Sequence, residues 1–480
     1  MGEEDEITLA AGPPDEGYGT VQPNQLELSE CYDRIGLGKA QIFLWGALSW
    51  VAYSDMSEIL ILSILMPYLN CEWGLSVWYE AVLNCSVLFF YATSGMVFGK
   101  LSDKYGRRCT LTVTLTAMLI ASLASALATN KWQFLALRTI IGICKGANRP
   151  IIVVFSSEVV ESQYRLIGPT IIIFVYKAGM LTAAILAFVF LNWVGWRWFI
   201  VIVSLPIIPA LILLRLMPES PRFLCVSGAQ EEANAAVKKM AVWNEKSHTL
   251  PDELVIVVHQ DQQRGQIKDI LAPKYLKETV LLSMMYFGNV FLIYGLIVFV
   301  PLAINTGLCG ASAEGATRDC KKINQEGLGK IVIITSGSTV AILVGLFFAI
   351  KTGRNLPIKL FNTLVFILVV CLFPCFSRGI TTAILFLIKC FACAANLIVW
   401  IVILELYPTV IRNTATGFIN MWGKIGGAIA TALVYILFYI SGYLIVACFV
   451  LAALLSMVAA WLWTKETKDM DLQDVVERDI

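Results

Sequence analysis

The chain has 480 residues, 58% of them hydrophobic and only 15% charged, with a mean hydropathy of +0.73. A soluble domain carries about a quarter charged residues, so the composition excludes an ordinary soluble globule and specifies a polytopic membrane protein. A net charge of +1 makes no case for nucleic acid, and the two histidines, His248 and His259, lie in a polar stretch, so no histidine metal site or relay is expected in the membrane.

Residues 1–38 are polar, acidic at the start and rich in Gly and Pro, which predicts a disordered cytoplasmic tail. A basic n-region before a short apolar core is missing, so no cleaved signal peptide is expected. Tyr18-Gly-Thr-Val21 and Tyr32-Asp-Arg-Ile35 fit the Tyr-x-x-apolar sorting pattern, which arises mostly by chance. Apolar runs long enough to cross a bilayer follow near 40–67, 79–98, 109–128, 132–154, 166–190 and 196–216. A polar stretch, 217–276, links them to runs near 277–303, 328–350, 356–376, 380–405, 414–438 and 441–463. The spacing predicts an N-terminal half over 39–216, a cytoplasmic linker over 217–276, a C-terminal half over 277–464 and a cytoplasmic tail over 465–480. Most basic loop residues, Arg107, Arg108, Arg165, Arg354 and Arg412 among them, fall on one side, which places both termini in the cytoplasm. The chain lacks a Gly-x-x-x-x-Gly-Lys-Ser/Thr loop and so offers no sign of an ATPase.

The turn Gly99-Lys100-Leu101-Ser102-Asp103-Lys104-Tyr105-Gly106-Arg107-Arg108 has a counterpart. Gly106-Arg107 recurs as Gly353-Arg354, 247 residues on, and the same offset takes Glu158 and Arg165 to Glu405 and Arg412. The chain therefore reads as parallel repeats. The second loop, Lys351-Thr-Gly-Arg-Asn355, lacks the Asp.

Gly-x-Leu-x-Asp-x-x-Gly-Arg-Arg resembles the loop signature of the major facilitator superfamily. Pro218-Glu-Ser-Pro-Arg222 resembles a box of sugar porters and organic-ion transporters. Asp55-Met-Ser-Glu58 through Pro67, Cys71-Glu-Trp73 and Gly288-Asn-Val-Phe-Leu-Ile-Tyr-Gly295 resemble the synaptic vesicle glycoprotein 2 and synaptic vesicle 2-related group, over about Ile35 to Lys468. The resemblance implies an all-α membrane protein of about twelve transmembrane helices in two six-helix pseudo-symmetric halves, the major facilitator fold. It implies a cytoplasmic gate of Asp103, Arg107, Arg108, Glu158, Arg165, Arg354, Glu405 and Arg412 that latches the halves and must break for the inside to open. Simple helix capping is the alternative.

Ionisable groups at membrane depth default to functional hypotheses. Asp55 and Glu58 share a helix face at i and i+3. In proton-coupled sugar porters an Asp on the first helix pairs with an Arg where Arg138 stands, so the resemblance implies an Asp55–Arg138 proton-coupling pair. A carboxylate beside an Arg stays ionised and takes a proton when the Arg leaves. Glu58 is either a second proton site or a substrate contact, and a fixed ion pair is the bland alternative. Lys145, Arg149, Lys177, Lys389 and Lys424 add cations, with Lys177 and Lys389 best placed to snorkel. An electropositive cavity and an anionic solute follow. Tyr176, Asn289, Tyr294, Asn396 and Trp422 are candidate substrate contacts, as are Phe174 and Trp400, although aromatics on membrane helices more often pack.

The expectation is a secondary transporter of a small organic anion, an aromatic carboxylate among the candidates, with proton coupling, no cofactor or metal, and no enzymatic activity. The chain is expected to act as a monomer in a plasma or vesicle membrane. An organic cation or sugar transporter, or a non-transporting receptor on a transporter fold, are the other readings. The outer loop 305–327 holds Cys309 and Cys320 around a small-residue stretch and is expected to form a disulfide. Cys71 competes as a partner, and two free thiols are the alternative.

Overall fold

The computed structural model describes residues 25–160, 164, 167–251, 254–257, 266–306, 322–374 and 376–468. Strand β1 (Gln25–Glu27) and helix α1 (Leu28–Ile35) precede the membrane bundle. Its first repeat runs through α2 (Lys39–Trp73), α3 (Val77–Tyr105), α4 (Arg107–Ala126), α5 (Lys131–Glu158), α6 (Ile167–Leu186), α7 (Asn192–Ser204) and α8 (Ile207–Leu216). Between the repeats lie α9 (Pro221–Val226), α10 (Gln230–Trp243), β2 (Val255–Val257) and α11 (Ile267–Ile270). The second repeat comprises α12 (Pro273–Thr306), α13 (Gln325–Thr352), α14 (Asn355–Val370), α15 (Arg378–Leu406), α16 (Thr409–Phe438) and α17 (Gly442–Leu462).

Among the described residues nine helices are long and apolar enough to cross a membrane, or ten if the bent α3 counts as one span. Ile167–Leu216 passes that test as one 50-residue stretch, about 75 Å if straight, far more than the ~30 Å hydrocarbon core. It folds back at Gly195, whose φ of 81° is left-handed and open to glycine. Asn355–Val370 is apolar but shorter. Reading α6 and α7–α8 as separate passages, and counting α14, recovers the expected helix number.

Helix contacts repeat. In the first repeat α2 packs on α6, α3 on α5 and α4 on α5; in the second α12 packs on α16, α13 on α15 and α14 on α15. Across the repeats, α3 packs on α16 and α6 on α13. Helices α2 and α12 are buried on nearly all sides, as expected of segments without a polar face.

The expected disordered tail needs correction. From Gln25 the chain is folded: β1 pairs in parallel with β2, Leu26 against Ile256. In α1, Leu28, Cys31, Tyr32 and Ile35 are buried, an i, i+3, i+4, i+7 stripe that docks on α10. Asn244, just past α10, accepts from the Ala40 N–H at 2.8 Å and donates to the Gly36 carbonyl at 3.2 Å. Lys39 and Glu245 add an ion pair. Tyr32 and Ile35 thus lie buried on a helix, not in an extended sorting peptide. Burial pushes the Cys31 thiol up to about 11. Residues 1–24, with Tyr18, lie outside the described residues.

Candidate solute pathway and its end latches

At the end of the bundle carrying Lys39 and Trp463, here the tail end, two matching networks close. Gly106 begins α4 with a φ of 99°, and a Cβ there would lie 2.5 Å from a Glu219 carboxylate oxygen. That turn aims the first N–H groups of α4 at Glu219, which accepts from Arg107 N at 3.0 Å and Arg108 N at 3.0 Å. A carboxylate at a helix N-terminus satisfies orphan donors and the helix dipole together. The Arg107 side chain grips Glu158 through two bonds, 3.2 and 3.1 Å, and donates to the Ser102 carbonyl at 2.9 Å. Asp103 lies 3.0 Å from the same guanidinium, and Ser220 Oγ donates to Glu158 at 2.6 Å. Arg108 Nη2 donates to the Arg215 carbonyl at 2.8 Å.

The second repeat copies this at the same offset. Arg354 grips Glu405 at 3.2 and 2.7 Å and donates to the Ala349 carbonyl at 2.7 Å. Thr467 Oγ1 donates to Glu405 at 2.7 Å, and Glu466 accepts from Arg354 N at 2.7 Å and Asn355 N at 3.0 Å. Burial alone would raise the Glu466 carboxyl; those N–H donors outweigh it and hold the group below the usual range. Arg412 Nε donates to the Tyr407 carbonyl at 3.1 Å, and Arg165 lies outside the described residues. Within each repeat the acid of the later helix pairs with the arginine of the loop, Glu158 with Arg107 and Glu405 with Arg354.

Inside the membrane the expected Asp55–Arg138 pair is also corrected. Arg138 Nη1 binds Glu58 at 2.9 Å, both side chains being fully or nearly fully buried. Ser122 and Ser204 hydroxyls donate to the other Glu58 oxygen at 2.8 and 3.1 Å. The reason is level. Helix α2 leaves the tail end at Lys39, so Glu58 stands about 4.5 Å farther out than Asp55. Arg138 stands early on α5, which starts from the far end at Lys131. Asp55, 1% exposed, faces Asn148 one stage deeper on α5, with Nδ2 at 3.4 Å.

Beyond Asp55 lies a cation–tyrosine cluster. Arg149 Nη1 donates to Tyr176 OH at 3.2 Å and stacks over that ring at 4.9 Å. Lys424 Nζ sits 3.4 Å from the centre of the Tyr91 ring and donates to Tyr294 OH at 3.2 Å. Gly146 permits this assembly, because a Cβ there would meet the Tyr91 carbonyl at 2.4 Å. Lys145 Nζ is buried with no hydrogen-bond partner among the described residues. Asn289, fully buried, has neither amide atom paired among them, and Asn396 Oδ1 is likewise open.

Two cavities border these groups. One is lined by Glu58, Arg138, Lys145 and Tyr294; the other by Asp55, Arg149, Tyr176 and Trp400. Trp422 and Phe174 line neither; both are exposed, and Trp422 rests edge-on against Phe418. Lys389 does not snorkel: it is 2% exposed and donates to the Ile293 carbonyl at 2.9 Å; Lys177 is half-buried, with Nζ 4.0 Å from Cys393 Sγ. Polar contacts join the repeats at the far end, where Tyr68 OH reaches the Ile323 carbonyl at 3.2 Å and Tyr439 OH reaches Glu80 at 3.5 Å. Cys309 and Cys320 lie outside the described residues, and Cys71 is disulfide-bonded. Among the described residues no His, Cys, Asp or Glu group is placed to hold a metal ion.

Sequence reasoning singled out the Pro218–Arg222 box but gave Glu219, Ser220, Glu466 and Thr467 no latch role, although the 247-residue offset relates them pairwise and was there to be read. It also missed Tyr91, Ser122, Asn148 and Ser204, polar residues inside apolar runs whose partners only the packing discloses.

Comparison with known proteins agrees with this architecture. Residues 65–478 match the family described as sugar (and other) transporter. The synaptic vesicle 2-related protein of Pongo abelii is 27% identical over 99% of this chain and 87% of its own. Organic cation/carnitine transporter 7 of Arabidopsis thaliana is 26% identical over 94% of this chain and 96% of its own. Among solved structures, the inward-open conformation of the xylose transporter XylE from E. coli aligns with a TM-score of 0.67 at 18% identity, over 90% of this chain and 97% of that one. The chain belongs to the sugar (and other) transporter family and has the major facilitator fold.

Proposed function

We propose that this transporter moves a small organic anion by alternating access, coupled to protons. The observation that carries the reading is the surplus of buried cations. Lys145 and Arg149 line the cavities and Lys424 donates to Tyr294 of the first, and Asp55 is the acid left to them, because Glu58 is held by Arg138. A unit charge 4 Å away at an effective dielectric of 20 is worth about 4 kcal/mol, enough to select solute charge. Arg138 keeps Nε and Nη2 without partners among the described residues, beside the first cavity. Asp55, weakly bonded and beside the second cavity, is the proton carrier; Glu58 fixes Arg138.

Residues 39–216 and 277–464 act as the two moving bodies, with linker 217–276 and both termini in the cytoplasm of a monomer. Contacts at the far end correspond to an inward-facing state. Rocking about the cavities then exchanges far-end contacts for tail-end ones. A vesicle membrane is the favoured location, from the synaptic vesicle 2-related relatives. An organic cation is the second reading, favoured by the name of the Arabidopsis relative.

Uptake of benzoate, tetraethylammonium and glucose into proteoliposomes, with and without a pH gradient, tests this. Benzoate alone should accumulate, and more with the gradient. Faster uptake of the cation or the sugar overturns the anion assignment. Uptake of none would favour a receptor.

A further inference from the structure

Two cations within the membrane, Lys389 buried and Lys177 half-buried, play no part in the site as assigned so far. Lys389 on α15 spends its ammonium on the Ile293 carbonyl of α12, and Lys177 on α6 lies against the Cys393 thiol of α15. Neither meets a carboxylate among the described residues; the one described ion pair buried at this depth is Arg138–Glu58. A carbonyl and a thiol compensate an ammonium less well than a carboxylate does, and an uncompensated cation inside a membrane is costly.

These two cations lie next to the first group. Lys177 follows Tyr176, the residue that holds Arg149, and adjacent Cα atoms are about 3.8 Å apart. Both groups straddle the seam between the repeats. Lys424 reaches from α16 to Tyr91 on α3, and Lys177 reaches from α6 to Cys393 on α15. In each, a cation of one repeat rests on a neutral group of the other, a contact that an anion of higher charge density can displace.

We infer that the solute is a dianion, one acidic group being taken by Arg149 and Lys424 and the second by Lys177 and Lys389. This rests on the anion reading above and narrows it. A monoanion satisfies one group and leaves the other on carbonyl and thiol.

The test is uptake by the full-length protein in chloride-free proteoliposomes near neutral pH, with two matched pairs: adipate against hexanoate, and terephthalate against benzoate. Within at least one pair the dianion should be preferred about tenfold or more. Lys389→Gln and Lys177→Gln should each collapse that ratio toward one. Equal uptake within both pairs, or a preference that survives both substitutions, overturns the dianion while leaving the anion reading intact. Uptake of none of the four overturns the anion reading and this inference together. Should either variant fail to fold, the wild-type ratio decides by itself.

Discussion

At the tail end, Arg107 holds Glu158 and the Ser102 carbonyl while Glu219 caps α4; 247 residues later, Arg354 holds Glu405 and the Ala349 carbonyl while Glu466 caps α14. Within the membrane the same offset takes Arg138 to Leu385, Lys145 to Ala392 and Arg149 to Asn396. The ends repeat because both repeats face one mechanical task, tying a loop to the next helix and to the helix that precedes the following loop. On the proposed reading, the interiors diverge because the solute and proton chemistry is asymmetric. One half carries the carboxylates and their arginines; the other contributes Lys389 and Lys424.

The largest effect should come from making the interiors alike. Arg138→Leu imitates Leu385 and strands Glu58, at a cost of about 3–5 kcal/mol for breaking a buried pair. Thermal unfolding in detergent measures it, and adding Glu58→Gln should recover most of the loss. Unchanged stability in the single variant would show that the pair holds little.

Next come Lys145, which lines a cavity, and Lys424, which bonds Tyr294 beside it. Lys145→Ala and Lys424→Ala should each weaken anion binding by about tenfold or more and hardly alter binding of a neutral solute. Equal loss for both solutes would indicate folding damage.

The latches should respond as a matched pair. Arg107→Lys and Arg354→Lys each lose a two-pronged carboxylate contact, at about 1–3 kcal/mol, and the two values should agree within about 1 kcal/mol. A large effect in one repeat alone would break the comparison. Asp103→Asn sharpens it: Ile350 stands at the equivalent position, so this contact belongs to the first latch, and at 36% exposure it should contribute under about 1 kcal/mol.

The smallest effect is acid sensitivity. Glu466 is held low in the folded protein, so its contribution is full above the unfolded carboxyl range near 4.3 and fades as pH falls through its lower folded value. The group is exposed, so the loss should stay below about 1 kcal/mol. Melting temperature against pH, with Glu466→Gln as reference, should show a shallower acid limb in the variant.

Much of this organisation was legible in the residues. Apolar run lengths located the helices, and three landmarks sharing one offset disclosed the repeat. What stayed hidden depended on relative height and docking. The i, i+3 spacing put Asp55 and Glu58 on one face but could not say which of them meets Arg138, since that depends on where α5 starts. The tail looked disordered because its apolar stripe is only eight residues long and its partner α10 lies some 200 residues away. Lys389 looked able to snorkel because a sequence does not display the Ile293 carbonyl opposite it.

The central claim is that buried charge couples solute to protons through Asp55. Asp55→Asn replaces the proton carrier with an amide of the same shape. Proteoliposomes should then lose pH-gradient-driven accumulation of the anion while retaining part of its exchange. Wild-type pH dependence in that variant would contradict the account.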